Sequence, residues 1–141
     1  GGRRLNDEWA ETPQAYLGIT VAKFPNMFVL YGPNTNLGHN SITFMLERQV
    51  EYAVKAITAM RDRGLAAVEV KQAAQESFNR DLQKALEKTT WADPHCRSWY
   101  KNEQGHITQN WSSHTRDFAA ATEHVKWEDY AVRERAAAAA E

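Results

Sequence analysis

A single cysteine, Cys96, stands among the 141 residues, so no internal disulfide can form, and a cysteine-based structural zinc site is disfavoured. A lone thiol suits a reducing compartment, and the cytoplasm is the expected location. No apolar run approaches the ~20 residues that cross a bilayer, so no membrane partner is expected. Neither sign of charge dominates: 17 Lys and Arg face 18 Asp and Glu, for a net charge of −1. Without a basic field, nucleic acid is not an expected partner either. Most informative of all, the seven glycines never fall as G-x-G-x-x-G. That glycine-rich turn lets backbone amides approach a pyrophosphate, so the chain carries no complete dinucleotide cradle.

What is present is an ordinary balance for one unit with its own core, 43% hydrophobic and 25% charged. The organising stretch runs from Met27 to Ser41. Met27-Phe28-Val29-Leu30-Tyr31 is an unbroken apolar run and predicts a buried strand over 27–31. Gly32-Pro33-Asn34 breaks it, and Gly38 permits a second bend. Asn40 or Ser41 then offers an N-cap, its side-chain oxygen accepting the first free amides of a helix. A helix start that follows a strand presents N–H donors and partial positive charge, which suits an anionic or electron-rich ligand group.

From Ser41 to Arg63, Ile42, Met45, Leu46, Val50, Ala53, Val54, Ile57 and Met60 recur at three- and four-residue spacing, which predicts one long amphipathic helix with Gly64 as its C-cap. Leu5 and Trp9 suggest a single helical turn, and Tyr16 to Val21 a short strand. A brief strand over Ala66–Val70 and a second helix over Lys71–Lys88 follow. That helix carries a stripe of Ala74, Phe78, Leu82, Ala85 and Leu86. Cys96–Tyr100 and His106–Trp111 predict an antiparallel hairpin about Gly105. His114–Thr122 and Trp127–Arg135, the latter running into the terminal alanines, predict C-terminal helices. The fold class is therefore α/β, or α+β as an isolated piece, in one unit spanning 1–141.

Other constellations carry little chemistry. His95 and Cys96 are adjacent and have no third partner at triad spacing. His106, His114 and His124 do not share a helix face, so no metal site is expected. His39 reads as a hydrogen-bonded loop residue rather than a general base. No catalytic residue is assigned within the chain.

Phe24-Pro25-Asn26-Met27-Phe28, Tyr31-Gly32-Pro33-Asn34-Thr35-Asn36-Leu37-Gly38-His39-Asn40-Ser41 and Glu47 together resemble the C-terminal part of Baeyer–Villiger-type flavin monooxygenases. Leu5 to Trp9, Tyr16 to Val21, Cys96 to Tyr100 and Trp111 fit the same region, so the resemblance spans about residues 2–130. It implies a two-dinucleotide-binding-domain flavoprotein, with this chain as its C-terminal fragment. Residues 1–40 would form the end of the FAD-domain strand and the flavin-facing turn, and 41–141 the helices and hairpin. The implied activity is oxygen insertion into a ketone or aldehyde through a flavin C4a-peroxide, with FAD and NADPH as cofactors and neither bound by the fragment alone. By resemblance, Asn40, Ser41 and Ile42 would face the flavin, with Asn34 and Asn36 beside the ring. For those two asparagines a role in turn geometry alone is an equal alternative. The catalytic arginine and the NADPH-binding residues would lie upstream, in the FAD and NADPH domains that are this piece's partners. Two other readings are kept: a fragment of a heteroatom-oxygenating flavin monooxygenase, and a non-catalytic, self-associating interaction module. Self-association of the fragment is expected in any case, because truncation uncovers apolar surface.

Overall fold

The computed structural model describes residues 2–38, 41–93, 95 and 99–136. Helix α1 (Leu5–Glu8) is one turn, as the Leu5/Trp9 spacing suggests. The long helix α2 (Ile42–Asp62) begins where expected. Ser41 is its N-cap, with Oγ accepting the Phe44 N–H, and the chain turns at Gly64, whose φ is +63°. Strand β1 (Leu65–Val70) and helix α3 (Gln72–Leu86) follow, then helix α4 (Thr115–Thr122) and strand β2 (Tyr130–Glu134). The fold is thus mixed helix and strand, with one small two-stranded antiparallel sheet, β1 against β2.

Two apolar clusters fill the interior. In the first, Tyr16, Leu17, Ile19 and Ala22 pack on Tyr52 of α2, on Val68 and Val70 of β1, and on Tyr130 of β2. In the second, Leu37 packs with Met45 of α2, Leu82 and Leu86 of α3, Ile107, Trp111 and Phe118 of α4. Phe78 packs against both clusters. The stripe of α3 is only partly apolar. Gln75 and Asn79 are buried on it and fasten the 15–22 segment: Gln75 Oε1 accepts the Ala22 N–H at 2.8 Å, and Asn79 Nδ2 donates to the Ala15 carbonyl at 3.1 Å.

The structure departs from the sequence reading in four places. Residues 27–31 are not a strand. Val29 makes one ladder-like bond, donating to the Ile19 carbonyl at 2.7 Å, and Tyr31 then turns into the left-handed region at φ +59°. Leu30 and Tyr31 are 48% and 47% exposed. An apolar run becomes a strand only where a neighbouring strand meets its backbone groups. Among the described residues only Val29 finds such a backbone partner, while the Tyr31 N–H goes to the Gln49 side chain and the Met27 N–H to the local Phe24 carbonyl. Tyr16 to Val21 is a tight turn closed by the single pair Tyr16–Thr20, because Leu17 and Gly18 both take positive φ. The 100–108 turn forms around Gly105 but holds only the bridge Lys101–Ile107. The following residues pair instead with the 34–36 turn, and Cys96, Arg97 and Ser98 lie outside the described residues. Finally, Trp127–Asp129 is a 3-10 turn and 130–134 a strand rather than a helix. Buried Tyr130 and a ladder to β1 outweigh the helix propensity of this polar stretch.

Helix α2 is apolar on two sides. Met45, Tyr52, Ala53 and Ala56 point inward and are buried. Val50, Val54 and Ile57 point outward, 44%, 55% and 53% exposed.

Candidate functional site

The turn over 32–38 is held from below and from the side. Two glycines allow its closest approaches. A Cβ on Gly18 would fall inside the van der Waals envelope of Thr35 Cγ2, and one on Gly32 inside that of the Gly18 carbonyl oxygen. Gly18 also sits at φ +68°. The side contact is a short parallel pairing with 107–111. Asn34 N–H donates to the Thr108 carbonyl at 3.0 Å, Asn36 N–H to Gln109 at 2.8 Å, and Trp111 N–H back to Asn36 at 2.8 Å.

Asn34 and Asn36, both read from the sequence as ring-side candidates, are brought together but do different work. Asn34 is buried at φ +60°, a conformation its short polar side chain tolerates. Both of its amide hydrogens are engaged, at 2.7 Å on the Ile107 carbonyl and 3.0 Å on the Asn110 carbonyl. It therefore holds the turn to 107–110. Asn36 is half-buried. Its Nδ2 donates to Asn110 Oδ1 at 3.0 Å, and its Oδ1 accepts the Tyr31 hydroxyl at 3.1 Å. Asn36 also lines a cleft of about 290 Å³ with Trp9, Pro13, Val29, Tyr31 and Thr108.

Of the helix-start candidates, Ser41 caps α2, while Ile42 is 37% exposed at its first position. Asn40, like His39, lies outside the described residues. The first turn of α2 contains no acidic side chain, so its positive end is not neutralised from within the helix. Among the described residues no cluster of three His, Cys, Asp or Glu is placed to hold a metal ion.

Two residues escaped the sequence reading. Gln49 is fully buried on the inner face of α2, where its Oε1 accepts the Tyr31 N–H at 2.6 Å. Asn110 is fully buried and ties Asn36 and Asn34 together. Gln49 Nε2 and Asn110 Nδ2 are buried donors with no acceptor among the described residues. The signal for Gln49 was available: it is polar at the position i+4 from Met45, on a face otherwise apolar. Asn110 had none, because its role depends on a contact with residues 74 positions earlier.

Comparison with known proteins gives this geometry a context. No family model matches the chain. Nearly the whole chain, 99%, aligns at 40% identity with the FAD-binding monooxygenase ktnD of Aspergillus niger, of which it covers 24%. It aligns at 43% identity over 86% of its length with a Baeyer–Villiger monooxygenase of Pseudomonas aeruginosa, covering 23% of that protein. In fold it matches an oxidised steroid monooxygenase bound to NADP with a TM-score of 0.83 at 24% identity, over 96% of this chain and 26% of the other. The chain thus spans about a quarter of the length of the curated relatives it matches. Its fold is that of one region of a larger flavin-dependent monooxygenase. More particularly, it has the sequence of the C-terminal region of the Baeyer–Villiger-type FAD monooxygenases.

Proposed function

We propose that this chain is the C-terminal part of an FAD- and NADPH-dependent monooxygenase of Baeyer–Villiger type, acting on a ketone or aldehyde in the cytoplasm. The observation that carries the reading is the 40% identity along 99% of the chain to an FAD-binding monooxygenase. The two-sided apolarity of α2 supports it, since Val50, Val54 and Ile57 form an exposed apolar stripe of the kind a further protein surface covers. In this reading residues 27–31 find their missing strand neighbours in the upstream FAD domain, and Val50, Val54 and Ile57 pack against that domain.

The residues present fit one edge of a flavin site. A capped helix start without acidic residues, with Ser41 and Ile42 at its head, suits an electron-rich ring edge. Asn40 is proposed with them on resemblance alone. Asn36 reaches the cleft, and Asn34 fixes the turn that carries it. Nothing here fits the pyrophosphate, for which the sequence has no glycine-rich turn. When bound, the flavin supplies the oxygen-transfer chemistry. The chain's own residues orient it, present amide donors to negative charge and help to exclude water.

Equilibrium dialysis of the 141-residue chain against FAD tests the fragment reading. No binding is expected, and tight stoichiometric binding would overturn it. The reaction class is tested on the chain joined to its upstream domains, assayed with NADPH on a cyclic ketone and on an amine or sulfide. A lactone product supports the Baeyer–Villiger reading; oxidation of the amine or sulfide alone would replace it with heteroatom oxygenation. The isolated chain is expected to self-associate through α2, and a monodisperse monomer in concentrated solution would count against that.

A further inference from the structure

Four oxidisable aromatic side chains meet away from the 32–38 turn. Trp127, half-buried, lies 6.2 Å from the Tyr130 ring, and Tyr130 lies 6.0 Å from Tyr16, centroid to centroid. Both contacts are within the range of direct aromatic packing. The next ring past Tyr16 is Phe78 at 5.4 Å, which is hard to oxidise and separates the group from Trp111, a further 6.4 Å beyond it. Tyr52 hangs from Tyr130 by a 2.9 Å bond between the two hydroxyls.

The three phenols are not equivalent. Among the described residues the Tyr130 hydroxyl meets only hydroxyls, Thr20 Oγ1 at 3.0 Å and Tyr52, and neither is a base. The Tyr16 hydroxyl donates to Asp129 Oδ2 at 2.5 Å, the separation of a charge-assisted O–H···O⁻ bond. A phenol that loses an electron becomes a strong acid, so it holds a radical only if its proton has somewhere to go. Tyr16 alone among the three has a carboxylate in place. At the outer end the Arg63 guanidinium lies 4.5 Å over the Trp127 ring. A cation there disfavours a second positive charge on the indole and biases an electron vacancy inward.

We propose that Trp127, Tyr130 and Tyr16, with Asp129 as proton acceptor, form a one-electron oxidation relay whose resting point is a neutral Tyr16 radical. The partner is a diffusible one-electron oxidant that reaches Trp127. The oxidant gains one electron, the Tyr16 O–H bond breaks, and the proton forms an O–H bond on Asp129. A thiolate then returns one electron, becoming a thiyl radical, and Asp129 returns the proton. The relay would carry stray oxidising equivalents to one repairable phenol. It does not rest on the flavin reading, because every group in it belongs to this chain.

The test uses the purified chain with a photo-oxidised ruthenium tris-bipyridine as oxidant, followed by transient absorption and electron paramagnetic resonance. A long-lived tyrosyl signal is expected, with slower formation in D₂O. Tyr16→Phe, which keeps the ring and its packing, should lose that signal, and Asp129→Asn should lose most of it. Tyr52→Phe should retain it. If Tyr16→Phe does not fold, Asp129→Asn decides: loss of most of the tyrosyl signal supports the relay, and an undiminished signal overturns it. A tyrosyl signal undiminished in Tyr16→Phe, formation indifferent to D₂O and to Asp129→Asn, or no tyrosyl signal at all would each overturn it as well.

Discussion

Residues 15–22 and residues 27–31 are neighbours in sequence and opposites in structure. The first segment has a weak pattern and no regular secondary structure, yet Ala15, Tyr16, Leu17, Ile19, Val21 and Ala22 are all buried. The second has the strongest apolar run in the chain and leaves Leu30 and Tyr31 about half exposed. The difference lies in what each segment's backbone can bond. The 15–22 loop closes on itself through Tyr16 N–H to the Thr20 carbonyl at 2.8 Å, and Gln75 and Asn79 of α3 meet the Ala22 N–H and the Ala15 carbonyl. Backbone satisfaction, and not hydrophobicity alone, decides which apolar segment this chain can bury by itself. On the proposed reading, the 27–31 run is covered by the upstream FAD domain rather than by this chain.

The largest effect is expected at Ile19, which is wholly buried in the first cluster. Ile19→Ala should cost about 2–5 kcal/mol, a large part of the stability of a domain of this size, and is read by denaturant unfolding. Next in size is a loss of stability at high pH. Burial, first of all, and then the bond to Asp129 push the Tyr16 phenol well above its ordinary value. Burial does the same for Tyr52, aided by Tyr130. The sign follows from linkage: the unfolded chain releases these protons near pH ~10 while the folded chain keeps them, so stability is full below that pH and falls as pH rises beyond it. Thermal melts from pH 8 to 11 should show the fall. Tyr52→Phe, which lacks one of the three raised phenols, should show a shallower one. At neutral pH Tyr52→Phe leaves Tyr130 one hydroxyl short and should cost about 1 kcal/mol.

The long helix, β1, α3 and α4 were legible because their signals are local: an N-cap at Ser41, a turn at Gly64 and three- and four-residue periodicity. What failed was what depends on distant partners. Whether 130–134 is strand or helix is set by β1, about 60 residues earlier in the chain. Whether His106–Trp111 pairs backward into a hairpin or sideways with Asn36 is set by the 32–38 turn. The apolar face of α2 was legible as a face, but Val50 and Met45 could not be sorted into outward and inward without the rest of the core. At the candidate site the N-cap was readable, and so was the turn chemistry of Asn34 and Asn36. Gln49 and Asn110, which hold that turn in place, were missed: one was a polar residue passed over on an apolar face, the other had no local mark.

The smallest expected effect on stability sharpens the comparison most. Leu30→Ser together with Val54→Ser alters two side chains that are each about half exposed. Neither belongs to the buried clusters, so chain stability should change by no more than about 0.5 kcal/mol per site. If these surfaces were merely solvent-facing, nothing else would change. If they belong to a covered interface, the same pair should lower the weight-average mass in light scattering, because contiguous exposed apolar area drives association. If the proposed upstream domains cover this surface, then in a chain joined to them the pair should instead become destabilising, by about half of the roughly 1.5–3 kcal/mol that full burial of each such side chain contributes, since each is already about half buried. A substitution that is silent in the piece and costly in the whole marks where 27–31 and the outer face of α2 are completed. A pair silent in both would leave the apolar run without a partner and remove the support that α2 lends to the fragment reading.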